Sequence, residues 1–105
     1  MHFTSFLENG RLTVALTGEI DHHCAKGYIK AIAAKIESYT PEVCILDFGE
    51  VSFVDSSGIA VVINALRSMT QIEGKLLLTG ISPQPMRVFR ASGIDKIVEI
   101  KEAVS

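Results

Sequence analysis

The part of the chain best equipped for chemistry is Asp55-Ser56-Ser57-Gly58, in which a carboxylate precedes two hydroxyl groups and a glycine. Apolar residues lie on both sides of it. Three roles suit these residue types in this order: a serine nucleophile, a cap at the start of a helix, and an acceptor for covalent modification. The rest of the sequence bears on which of the three applies.

A nucleophilic serine requires a base within hydrogen-bond reach and a third group that orients the base. The chain has three histidines, His2, His22 and His23. The Gly-x-Ser-x-Gly pattern of many hydrolases is absent, because Val54 and not glycine lies two residues before Ser56. His22 and His23 begin a predicted helix at the same end of the predicted sheet as Ser56, so a small serine esterase stays as one alternative. We nevertheless expect that the protein is not an enzyme.

The run His22-His23-Cys24 consists of residue types that bind metals. Adjacent side chains on a helix point about 100° apart, and zinc sites usually draw ligands from a second segment. The sequence has no other His or Cys pair. The two glycine-rich patterns that bind nucleotide phosphates are also absent. We therefore expect no bound metal and no cofactor.

The remaining roles of the Asp-Ser-Ser-Gly segment are a helix cap and a modification site. A single cap contributes about 1 kcal/mol, and three candidate caps in a row exceed what capping requires. Gly58 would cost up to ~1 kcal/mol relative to alanine inside a helix, which predicts that another group approaches the backbone there. Because partners and ligands of α/β sheets bind beyond the carboxyl ends of the strands, we expect a functional loop.

The elements that position this loop follow from hydrophobic periodicity and turn residues. Asn9-Gly10 predicts a tight hairpin turn, Asp21 predicts a helix N-cap, and Pro83 suits the first position of a helix. The predicted strands cover residues 3–8, 11–17, 43–48, 75–79 and 97–100, and the predicted helices cover residues 22–38, 57–71 and 83–91.

The order β-β-α-β-α-β-α-β predicts an α/β fold with successive βα units. Its sheet should be mostly parallel, with one antiparallel N-terminal edge strand, and a single domain should span residues 1–105. A set of apolar residues on these elements is expected to be largely buried: Ile29, Ile32, Ile36, Val43, Ile45, Val62, Leu66 and Leu77.

The charge and composition of the chain argue against two kinds of partner, nucleic acids and membranes. The chain has 105 residues and a formal net charge of −2, with no basic run, so we expect neither direct nucleic-acid binding nor membrane binding. The N-terminus lacks the basic start and apolar stretch of a signal peptide, and no apolar run approaches the ~18 residues of a spanning helix. We expect the two cysteines, Cys24 and Cys44, to be reduced thiols in a cytoplasmic protein.

Three segments resemble a known family. Residues 43–59 resemble the signature of the STAS domain, the module of sulphate transporters and anti-sigma factor antagonists. Residues 16–23 are similar to the first strand-to-helix turn of the antagonists of sporulation, and residues 81–93 are similar to the third helix of the family. The resemblance covers nearly the whole chain and implies the STAS fold.

The resemblance also implies a mechanism. In that family a partner that is both serine kinase and anti-sigma factor phosphorylates the serine directly after the motif aspartate. Carried over, this serine is Ser56, and Asp55, Ser57 and Gly58 shape the phosphorylation loop. The unphosphorylated form would bind the kinase and release a sigma factor, and phosphorylation would end that binding.

Further partners follow from the same resemblance. It implies that Asp21, Ile59 and Ser82 contact the kinase, and that a serine phosphatase acts on the phosphorylated form. One alternative within the family is a STAS scaffold or signalling module outside sigma-factor control, similar to the stressosome proteins.

Overall fold

The alternating strand and helix patterns produce a five-stranded sheet in a computed structural model that describes residues 2–101. Nine elements make up the fold: β1 (His2–Glu8), β2 (Arg11–Ile20), α1 (Ala25–Tyr39), β3 (Val43–Val54), α2 (Ser56–Gln71), β4 (Lys75–Thr79), α3 (Pro83–Ser92), α4 (Ile94–Ile97) and β5 (Glu99–Lys101). No helix among them is long and apolar enough to cross a membrane.

The sheet has its strands in sequence order, from β1 at one edge to β5 at the other. β1 and β2 pair antiparallel around the turn at Asn9 and Gly10, which both adopt positive φ angles. All other neighbouring strands are parallel. Because right-handed crossovers that always step in the same direction leave their helices on one side, the helices cover a single face. The predicted fold class is confirmed.

The core lies between that face and the helices. Alternate residues of β2, β3 and β4 are fully or almost fully buried there, namely Leu12, Val14, Leu16, Cys44, Leu46, Phe48, Leu76 and Leu78. The rings of Phe48 and Phe89 meet edge to face at 5.4 Å, so α3 packs on this face as well. The opposite face of the sheet keeps its side chains partly accessible to solvent.

The predicted core is right in part. Ile32, Ile36 and Val62 are buried as expected. Five others are only partly buried: Ile29, Val43, Ile45, Leu66 and Leu77. Two of these five, Ile29 and Leu66, pack against the core. The three strand residues among them lie on the open face, and α2 buries a stripe made of Gly58, Val61, Val62, Ala65 and Met69.

Several predicted boundaries also need correction. α1 begins at Ala25, after a turn at residues 22–24. β3 continues to Val54 because β2 accompanies it as far as Ile20, with register shifts that absorb the irregular backbone. Residues 94–97 form the short helix α4, so the last strand begins at Glu99.

Candidate functional site

A single residue separates the end of β3 from the start of α2, and it is Asp55. Its backbone is extended, and its carboxylate Oδ1 accepts a hydrogen bond of 2.7 Å from the N–H of Ser57. Asp55 is therefore the N-cap of α2, the role that its residue type favours. This resolves which of the three candidate caps is used, and the Ser56 hydroxyl is not needed for capping.

Ser56 and Ser57 differ in accessibility. Ser56 is the first residue of α2 and is exposed, whereas Ser57 is half-buried. The first turn of this 16-residue helix contains no acidic residue. A helix N-terminus presents unpaired N–H groups and the positive end of the helix dipole, which favour an anion. The exposed Ser56 hydroxyl thus lies where an added negative charge is tolerated.

Gly58 is buried directly against the strand that precedes it. A Cβ atom built on Gly58 would overlap Cγ1 of Val54 and would lie 3.7 Å from Cγ2 of Ile20. The side chain of Val54 is itself 0% exposed. The sequence predicted a close approach to the backbone of Gly58, and the group that approaches is Val54. The glycine lets α2 begin immediately on top of the strand that carries the loop.

Asp21 follows the strand that neighbours the loop. Ile20 pairs with Val54, and the N–H of Asp55 donates a 3.2 Å hydrogen bond to the Ile20 carbonyl, so Asp21 and Asp55 follow adjacent strand ends. The Asp21 carboxylate accepts hydrogen bonds from the N–H groups of His23 (2.9 Å) and Cys24 (3.3 Å). Asp21 therefore closes the turn before α1, and the prediction that it caps the helix itself was wrong.

The environment of Asp21 acts on its carboxyl pKa in both directions. Desolvation raises the pKa, while the backbone hydrogen bonds from His23 and Cys24, together with the charge of His23, lower it. The net result is a pKa below the usual value of an aspartate. Asp21 is consequently ionised at neutral pH and adds a negative charge beside Asp55.

The two other residues that the resemblance implied as partner contacts differ from each other. Ser82 follows the carboxyl end of β4, and its hydroxyl donates a 3.3 Å hydrogen bond to the carbonyl of Val51, so it lies at the same edge as Ser56. Ile59 is half-buried and packs against the core. The structure therefore gathers Asp21 and Ser82 around the loop and turns Ile59 largely inward.

Sequence reasoning missed Gln84, in the first turn of α3. Its side-chain amide exchanges two hydrogen bonds with the backbone of Val54, at 2.9 and 3.0 Å. No local pattern predicts this contact because the two residues are 30 positions apart. Phe53 was missed as well: it lies two residues before Asp55 and is 39% exposed.

The histidines and cysteines do not assemble a metal site in the described part of the chain. His22 and His23 are exposed, and their ring centroids lie 3.9 Å apart with the ring planes tilted by 38°. Within residues 2–101, no three His, Cys, Asp or Glu side chains converge in a way that would hold a metal ion. Both cysteines are free thiols, as predicted, with Cys44 buried and Cys24 half-buried.

The fold and the Asp-Ser-Ser-Gly loop are those of a known protein family. A family model described as the STAS domain matches residues 7–105. Since this match covers most of the chain, the chain belongs to the STAS domain family. The resemblance noted in the sequence is thereby confirmed.

Similar proteins of named function indicate the group within the STAS family to which this chain belongs. The anti-sigma F factor antagonist of Lysinibacillus sphaericus is 32% identical over 95 residues, which cover 90% of this chain and 81% of that protein. The anti-sigma-B factor antagonist of Listeria monocytogenes is also 32% identical, over 97 residues that cover 90% of this chain and 82% of that protein. Within the STAS family, the chain groups with the anti-sigma factor antagonists.

Solved structures of the antagonist SpoIIAA are similar over nearly the whole chain. The unphosphorylated form superposes with a TM-score of 0.86 at 27% identity, covering 99% of this chain and 90% of SpoIIAA. The phosphorylated form of the same Bacillus cell fate determinant has a TM-score of 0.77, again at 27% identity, covering 99% of this chain and 93% of SpoIIAA.

Proposed function

We propose that this anti-sigma factor antagonist works by partner switching, with Ser56 as its phosphorylation site. The unphosphorylated protein binds an anti-sigma factor serine kinase and so releases a sigma factor; the kinase then phosphorylates Ser56 and the complex separates. The observation that carries this proposal is the exposed hydroxyl of Ser56 at the N-terminus of α2, with the helix cap supplied by Asp55 instead. That a similar protein, SpoIIAA, has a phosphorylated form supports it.

The fold should accept the phosphate without damage. A phosphoserine carries about −1.5 to −2 charges at neutral pH. At the first position of α2 this charge meets the favourable end of the helix dipole, although the N–H groups of Ser57 and Gly58 are already bonded to Asp55. Ser57 is the poorer acceptor, because it is half-buried and its N–H already bonds to Asp55.

The phosphate should instead weaken binding at the interface with the partner. A partner that docks on this edge must remove water from the phosphate and enclose it beside the carboxylates of Asp21 and Asp55. Like charges brought together in an interface cost several kcal/mol, and a loss of about 3 kcal/mol lowers affinity more than a hundredfold. Phosphorylation thereby converts a binding surface into a non-binding one with little change in fold.

The remaining partners follow from this cycle. A serine phosphatase would regenerate the active form, and Asp21, Ile59 and Ser82 would contribute to the surface that the kinase contacts. No nucleic acid or membrane takes part directly, and the cycle would operate in the cytoplasm. The protein is a substrate and ligand of these enzymes rather than an enzyme.

The test is phosphorylation by an anti-sigma factor serine kinase of the same organism, with Mg²⁺ and ATP. Intact mass should show one added phosphate, and peptide mapping should place it on Ser56. Ser56→Ala should remain unmodified, while the matched control Ser57→Ala should still be phosphorylated. A phosphate on Ser57, or no transfer at all, would overturn the assignment. Large assemblies on a sizing column with no kinase binding would favour the scaffold alternative.

A further inference from the structure

The side-chain amide of Gln84 binds both polar groups of a single backbone residue. The N–H of Val54 donates to Oε1 of Gln84 at 2.9 Å, and Nε2 of Gln84 donates to the carbonyl oxygen of Val54 at 3.0 Å. Both bonds are partly buried. A residue of a neighbouring antiparallel strand would make the same pair of bonds, so the amide satisfies the backbone of Val54 in place of a strand.

Gln84 can bond to the backbone of Val54 because the neighbouring strands have unequal lengths. β4 pairs with β3 only as far as Asp47, opposite the last residue of β4 at Thr79. β3 continues for seven more residues to Val54, along which its other neighbour, β2, still accompanies it. Beyond the end of β4, the start of α3 supplies hydrogen bonds to this edge of β3: its N-cap Ser82 bonds to the carbonyl of Val51, and Gln84 bonds to Val54.

Val54 in turn fixes the position of the loop. Its side chain forms the surface on which Gly58 and the start of α2 rest. Its backbone leads directly into Asp55, the N-cap of α2, and then into Ser56. Any displacement of Val54 therefore moves both the strand end and the helix start, which are the two elements that hold the Ser56 hydroxyl.

We propose that Gln84 is a positioning residue for the phosphoacceptor: by holding the backbone of Val54, it keeps the Ser56 hydroxyl in the place where a kinase can use it. The role rests on the function proposed above. It predicts a specific kinetic signature. Transfer depends on the exact placement of the hydroxyl, whereas docking depends on a wider surface, so loss of the amide should lower the rate of transfer more than the affinity for the kinase.

The test compares Gln84→Met, which keeps the length of the side chain and removes both hydrogen bonds, with Gln71→Met as a matched control. Gln71 is the other glutamine of the chain; it is exposed at the far end of α2, about 22 Å along the helix from Ser56. Two measurements are made on each protein. One is amide hydrogen exchange of residues 54–57 without any partner, and the other is kcat and KM for phosphorylation by the same anti-sigma factor serine kinase.

We expect exchange of the Val54 amide in Gln84→Met to rise about tenfold or more over the control. We expect kcat to fall about tenfold, with KM changed less than about threefold. Unchanged exchange at residues 54–57, or an unchanged kcat, would overturn the positioning role. A raised KM at constant kcat would also overturn it, since Gln84 would then contact the kinase directly. If the wild-type protein is not phosphorylated, the proposed function fails, and the exchange measurement alone decides whether Gln84 holds this segment.

Discussion

Replacing Gly58 with alanine tests whether the start of α2 rests as closely on β3 as the structure indicates. The new methyl group would overlap Cγ1 of Val54. Val54 cannot shift easily, because its side chain is fully buried and its backbone is hydrogen-bonded to the side chain of Gln84. Either the helix start or the strand end must move.

The size of the effect follows from two opposing contributions. Forcing an extra methyl group into a packed interior costs about 1–3 kcal/mol, and an overlap this deep belongs at the upper end. Alanine gains at most ~1 kcal/mol over glycine in a helix. The net loss in the free energy of unfolding of Gly58→Ala should thus be about 2 kcal/mol, which lowers the melting temperature of a domain this size by roughly 8–16 °C.

A double-mutant cycle attributes this loss to the contact with Val54. Val54→Ala alone should cost about 2–3 kcal/mol by leaving a cavity. In the Val54→Ala background the overlap no longer exists, so adding Gly58→Ala should be neutral or stabilising. The cycle, measured by urea unfolding of all four proteins, should give a coupling of about 2 kcal/mol, within the range found for residues in contact. A Gly58→Ala protein as stable as the parent, or additive effects, would refute the packing argument.

Three further predictions concern the thiols, the core and the acidic edge. Burial raises the pKa of Cys44 to about 12, so alkylation of the folded protein at pH 8 should modify Cys24 alone and denaturation should expose both thiols; native labelling of Cys44 would contradict this. Ile32→Ala should cost about 2–5 kcal/mol in urea unfolding, and Leu66→Ala clearly less because Leu66 is half-buried; equal losses would show that the helix faces are wrong. Folding lowers the pKa of Asp21 from 3.8, so its contribution to stability is present above that pH and is lost as the pH falls through the lower folded-state pKa; an NMR titration midpoint at or above 3.8 would contradict it.

The element order, apart from the short helix α4, was predictable because it depends on local signals. Asn9-Gly10 marks the hairpin, Pro83 marks the start of α3, and the alternation of strand and helix patterns gives the parallel sheet. The buried face of β3 was not predictable in the same way. Residues 43–46 are all apolar, so their pattern does not distinguish the face of Val43 and Ile45 from the face that the helices cover.

The residues of the candidate site were proposed from the sequence, but the contacts that hold them in place were not. The Asp-Ser-Ser-Gly segment was identified from residue types, but the choice of Asp55 as cap depends on backbone angles that the sequence leaves open. The extension of β3 through Gly49 and Glu50 depends on its pairing with β2. Gln84 bonds to Val54 across 30 residues, and long-range contacts of this kind leave no periodic signal.

The central claim is that a phosphate on Ser56 ends binding to the kinase while the fold survives. Its most direct test is titration calorimetry of the anti-sigma kinase with four forms of this protein: unmodified, phosphorylated, Ser56→Ala and Ser56→Asp. We predict that the unmodified form and Ser56→Ala bind alike, whereas the phosphorylated form and Ser56→Asp bind over ~100-fold more weakly, and that all four retain the same circular dichroism spectrum. A phosphorylated protein that stays folded and binds the kinase as tightly as the unmodified one would contradict the account.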